Sequence, residues 1–206
     1  MQTKIRGTDS AGTERDAKVT EYGLTITLGA QQHWTARGYG KQAMATVAVA
    51  ALVVRPTTTA MATLFNQSGS GKVLVVERAF AHNLVSTAAQ AFYSIWVCVH
   101  PVGMAAPSND ITVRNGTSGK AAGGSNTIFD NGATVVDDGW FPWGNWGQAE
   151  SAGVLPNGHV EADIGGRIML PPTAAISIHV VASLVGDTFT AGFHWFEVPE
   201  SELAIA

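Results

Sequence analysis

The chain has 206 residues, of which 46% are hydrophobic and only 14% charged, with a net charge of −4. So little charge beside so much apolar content excludes intrinsic disorder as the main state, and the lack of a basic surplus excludes a generic nucleic-acid binder. A single cysteine, Cys98, excludes an intramolecular disulfide framework and any CxxC metal site.

The first residues, Met1 to Arg6, lack the apolar run of a signal peptide. Residues 1–23 are polar and show no helical period. Leu24 to Leu28 alternates apolar and polar residues, as a half-buried strand does. His33 to Lys41 reads as a loop with two glycines. Residues 43–54 form the longest apolar run, too short to span a bilayer and interrupted by Thr46. Valines at 47, 49, 53 and 54 favour a strand there, with helix as the runner-up. No membrane span is expected, and synthesis in a reducing cytoplasm is. Residues 1–59 hold 7 Lys+Arg and 4 Asp+Glu, whereas residues 60–206 hold 5 and 12. A basic-leaning front is thus joined to an acidic body. The division expected from this is an extended N-terminal arm over 1–59, a β-sandwich body over 60–199 and a short tail over 200–206. Val47, Val49, Leu52 and Val53 of the arm become candidates for contact with a neighbouring subunit.

From residue 60 the pattern is strand after strand. Ala60–Asn66 and Val73–His82 flank a Gly/Ser turn and read as a hairpin. Ala91–Pro101 is a long strand, and Cys98 within it reads as a buried, inert thiol. Short strands are expected at 111–113, 127–129, 133–136, 159–164 and 167–170. The last two long strands, 175–185 and 188–198, are separated by Gly186-Asp187, which suits a type II′ turn. Pairing Val185 with Thr188 places Leu184, Ala182, Val180 and Ile178 on one apolar face with Phe189, Ala191, Phe193 and Trp195. It also sets His179 opposite His194, a pair able to bind a metal or to sense pH. With no third ligand, a metal site is not expected. Many short strands with Gly/Pro turns give an all-β fold: an antiparallel sandwich of jelly-roll type.

No constellation points to catalysis. Gly69-Ser70-Gly71-Lys72-Val73 lacks the first Gly and the Ser/Thr of a phosphate loop, and no GxSxG elbow is present. His159, Glu161 and Asp163 alternate along one strand face, where a cation site and a plain polar face are both open readings. Gly139 to Gly147 packs Trp140, Phe141, Trp143 and Trp146 into one loop. Those rings could fold over the chain's own core, meet a neighbouring subunit, or stack on sugars.

The segments Leu64-Phe65-Asn66…Gly71 to Arg78, Gly166 to Pro172 and Phe193 to Pro199 resemble structural proteins of tailed-bacteriophage virions, of the jelly-roll or tumour-necrosis-factor-like type. The resemblance implies a homo-oligomer, with a trimer favoured. It also implies contact with a major capsid protein or other virion subunits, no cofactor, no catalytic residue, and no nucleic-acid or membrane partner. The function expected is head decoration or cementing, with a glycan- or receptor-binding fibre domain as the first alternative and a jelly-roll hydrolase as the second.

Overall fold

The computed structural model describes residues 6–8, 14–16, 29–88, 90–108, 111–122, 127–135, 139–149, 151–153 and 158–203. Near the start, β1 (Arg6–Thr8) and β2 (Glu14–Asp16) pair antiparallel. A short helix, α1 (Ala30–Ala36), follows, then β3 (Gly40–Met44), β4 (Val49–Ala50), β5 (Ala62–Asn66), β6 (Lys72–Val85), β7 (Phe92–His100) and β8 (Arg114–Asn115). The remaining strands are β9 (Thr127–Asn131), β10 (Phe141–Gln148), β11 (Gly158–Leu170), β12 (Ala175–Ala182) and β13 (Thr188–Pro199).

Two antiparallel sheets form. One runs β10-β7-β12-β5-β9, and the other β11-β6-β13-β3-β8, with β4 also pairing β13. Take β3, β5, β6, β7, β10, β11, β12 and β13 as strands one to eight. The sheets then contain the orders 1-8-3-6 and 2-7-4-5, which is the doubly wound Greek key of a jelly roll. The expected all-β sandwich is therefore present, and its strand order is that of the expected type.

The core lies between the sheets. Ile95 and Val97 of β7 and Ile176, Ile178 and Val180 of β12 point in from one side. Phe189, Phe193 and Trp195 of β13 and Val160, Ile164 and Leu170 of β11 point in from the other. Alternation on each strand carries the next residue outward, as the two-residue period of a strand requires.

Three sequence expectations need correction. First, β12 and β13 are not a hairpin. β12 pairs β5 and β7, whereas β13 pairs β6, β3 and β4. Their apolar sets do meet, but across the sandwich rather than side by side, since two packed sheets put inward faces about 10 Å apart. His179 and His194 consequently lie on opposite outer faces and form no pair. Leu184 and Val185 are exposed in the crossing. The same holds for β5 and β6, which sit in different sheets.

Second, the boundary at residue 59 does not divide the packing. β3 pairs β13 over five residues, and Ala43, Ala45 and Ala51 are in the main core. The first jelly-roll strand comes from the segment expected to be an arm. α1 also packs on the body, where Trp34 meets Phe196 at 5.5 Å between ring centroids. Trp34, Tyr39 and Leu203 cover Val75, Phe196 and Val198 on the outer face of the six-stranded sheet. The strand expected at 24–28 lies outside the described residues.

Third, the aromatic loop is largely a strand. Phe141 to Gln148 is β10, at the edge of its sheet beside β7.

Candidate functional site

Two surfaces gather the chemistry. The first is the outer face of the six-stranded sheet. Register places three rows across β13, β6 and β11: Thr190, His82, His159; then Gly192, Phe80, Glu161; then His194, Arg78, Asp163. Phe80 is the hub. Its ring centroid lies 5.2 Å from His194, 5.7 Å from His82 and 6.3 Å from His159. His82 and His159 are 4.5 Å apart. Gly192 makes room for the hub, since a Cβ there would stand 2.6 Å from Phe80 Cζ and 2.5 Å from the Ala43 carbonyl oxygen.

Glu161 Oε2 accepts from His159 Nε2 and from Arg78 Nη1, each at 3.1 Å. The hydrogen bond from His159, aided by Arg78, lowers the carboxyl pKa against the opposing effect of burial. Burial, then the neighbouring His159, lowers the pKa of His82. Burial and then Arg78 lower that of His194, with Glu161 opposing. These two imidazoles are therefore neutral at pH 7. The expected alternation of His159, Glu161 and Asp163 is present, but His82 and Phe80 were missed as their partners. β6 and β11 are far apart in sequence, and no local signal announces their pairing. Among the described residues, no group of three or more His, Cys, Asp or Glu side chains could hold a metal ion.

His179 lies on the other outer face and is buried. Its Nδ1–H donates to the Val180 carbonyl at 3.0 Å, and burial lowers its pKa. Nearby, Ser177 Oγ is 2.8 Å from Thr63 Oγ1 and 2.8 Å from His100 Nε2. All three side chains are buried. This hydroxyl–imidazole contact is a polar ladder, and His100 also lines a cavity of about 340 Å³ with the 101–105 segment and Thr134.

The second surface is one end of the sandwich. Backbone and side-chain bonds tie four connections together there. Ala51 N donates to the Asp187 carbonyl, Ser86 bridges Gly153, Thr87 N donates to Asp187 Oδ1, and Ser183 N donates to the Phe92 carbonyl. Val47, Val53, Val54, Phe92, Trp146, Leu184 and Val185 are exposed on or beside these connections, Val185 by 75% and Val54 by 65%. Over 45–61, 86–91, 149–157 and 183–187 the charged residues are Arg55, Glu150 and Asp187. Asp187 is buried on Thr87, and Arg55 donates to the Trp140 carbonyl at 3.3 Å. Glu150 lies outside the described residues.

The expected interface residues thus separate. Val47 and Val53 are exposed at this end. Val49 packs on the core, and Leu52, half-buried, bridges Val181. Trp140 is buried in a small second cluster with Ala60, Cys98 and Val135. Trp143 packs on the core under the Arg167 guanidinium, 5.6 Å from the ring centroid, with Phe141 exposed beside it. Trp146 alone of the three tryptophans is broadly exposed, by 67%, against Phe92 at 5.9 Å. The three indoles share no common surface, so the tryptophan loop offers no continuous platform for sugars.

Among the described residues no helix is long and apolar enough to cross a membrane. No protein-family model matches the chain, and no curated protein does. It is similar to a chain in the structure of a marine algae virus of the order Picornavirales, at 10% identity and a TM-score of 0.26, over 91% of this chain and 82% of that one. A likeness at that score carries no weight for function, and the fold assignment stands on strand order.

Proposed function

We propose that this chain is a structural subunit of a virus particle, and that copies of it associate through the apolar loop end. The finer form of the reading is a trimeric decoration or cement protein that adds contacts to a shell, as on a phage head. One observation carries it: seven exposed large apolar side chains gather at one end of a jelly roll, and the two described charges there are already engaged. Exposed apolar side chains concentrated at one end, rather than scattered singly over the surface, mark sites of interaction. Surfaces that meet their own copies around a rotation axis must avoid a concentration of one charge sign, and this end meets that requirement.

Sedimentation of the purified chain at micromolar concentration tests the proposal. A defined oligomer is expected, and Val54→Asp with Val185→Asp should convert it to a monomer with unchanged circular dichroism. Both positions are exposed, so folding is spared. A wild-type chain that stays monomeric to high concentration and on a virion scaffold would sink the reading.

A further inference from the structure

Beside the histidine face, on the β3 side, the surface sinks into a cavity of about 510 Å³. That is within the range of small-molecule sites, roughly 300–1,000 Å³. Its apolar wall is Phe80, Met44 and Ile111, and its polar groups are Gln42, His194 and Arg114. The lining elements are independent in sequence: β3, β6, β13 and the segment 111–114. Of the loop-end residues only Thr46 reaches its margin, and none of the seven exposed apolar side chains used for association above takes part.

The charges on this cavity have one sense. Arg114 supplies a permanent cation at the rim, and its Nη1 donates to the Gly119 carbonyl at 3.2 Å. That bond fixes the guanidinium in advance, so less side-chain freedom is lost when an anion arrives. His194 is neutral at pH 7 for the reasons given above. Its ring stands edge-on to Phe80, at 68° between planes, and leaves an aromatic corner against the cavity. Glu161, the carboxylate whose charge acts on His194, is already bonded to Arg78 and His159, and Glu77 accepts from Gln31. Arg78 is thereby spent on Glu161, which leaves Arg114 as the cation suited to an incoming anion.

We infer that this cavity binds a small aromatic carboxylate, its ring against Phe80, His194 and Met44 and its carboxylate on the Arg114 guanidinium. Planar fork-to-carboxylate pairing is the geometry for which arginine is best suited. An uncharged ligand of the same shape would lose that pairing and keep only the apolar contact. A ligand with a charge at both ends would bring a second charged group onto an apolar wall without a partner, a costly burial.

Titration of the isotopically labelled, full-length chain with phenylbutyrate, followed by amide chemical shifts, tests this directly. The amides of Gln42, Met44 and Thr112 should shift and saturate. Phenylbutyramide should bind about tenfold more weakly, the loss expected for one charge-assisted hydrogen-bond pair. Arg114→Ala should lower the affinity for the acid to that of the amide. Because Arg114 also holds Gly119, Arg114→Lys provides a second variant that keeps charge but lacks the fork, and it should fall between the two. Saturable shifts confined to the loop end, equal binding of acid and amide, or no saturable shift at all would each overturn the inference. The titration is read on the soluble chain, so its failure would leave the association reading standing, and the converse holds as well.

Discussion

Histidines report how each residue's surroundings bias its proton. His179 is buried on the outer face of the five-stranded sheet, and burial depresses its pKa from the usual 6.5. His82 and His194 are depressed in the same sense. A group whose folded pKa lies below its unfolded one favours the native state at high pH. Its contribution is complete above the unfolded value and disappears as pH falls through the folded value. Glu161 acts with the same sign, but its loss begins only below its own ordinary value of 4.5. The two windows are therefore separable. Melting temperature should hold steady above about pH 7, then decline below about pH 6.5 as the unfolded chain takes up protons on its histidines. His179→Gln should flatten that decline, because it removes the most buried imidazole. A melting temperature that is independent of pH across this window would mean that burial of His179 is not expressed in stability.

Single elements show where sequence reasoning succeeds and where it stops. The alternation of Ile178, Val180 and Ala182, and of Phe189, Ala191, Phe193 and Trp195, correctly marked inward residues on β12 and β13, whereas Leu184, expected on the same face, is exposed. It could not decide whether those inward sets were neighbours on one sheet or faced each other across a core. Both arrangements bury the same side chains, and the short Gly186-Asp187 connection favoured the wrong one. His179 and His194 were misplaced for that reason alone. The cluster around Phe80 was beyond reach for a related reason, since its three strands come together only through the long crossings of the jelly roll. α1 was hidden by Gly38 and Gly40, which made a seven-residue helix resemble a loop. Its role can be measured. Trp34 is half-buried and packs at a tilt against Phe196, so Trp34→Ala should cost about 1–2 kcal/mol from lost apolar burial and ring contact. Urea denaturation should show this as a lower midpoint with little change in slope. An unchanged midpoint would mean that the helix rests on the sheet without supporting it.

At the scale of the whole molecule, the split of charge along the chain and the apolar loop end suggest different ways of holding copies together. A basic front lying on an acidic body would be an electrostatic contact between exposed charges, and salt would screen it. The structure already folds β3 and α1 of that front into the same body, with Arg37 paired to Glu202 at 3.0 Å and Gln31 bonded to Glu77 at 2.8 Å. Part of the front is thus satisfied within one chain. The loop end, by contrast, offers Val54, Phe92, Trp146 and Val185 with hardly any charge. Association through it draws on apolar burial, at roughly 25 cal/mol per Å². Sodium chloride leaves such burial intact, and a strongly excluded salt such as sulfate reinforces it. Sedimentation in about 50 mM and then about 500 mM sodium chloride should therefore give the same oligomer, because screening has little charge to act on at that end. Sodium sulfate at equal ionic strength should tighten it. Dissociation on raising sodium chloride would instead place the subunit contact on the charged front and remove the loop end from the assembly.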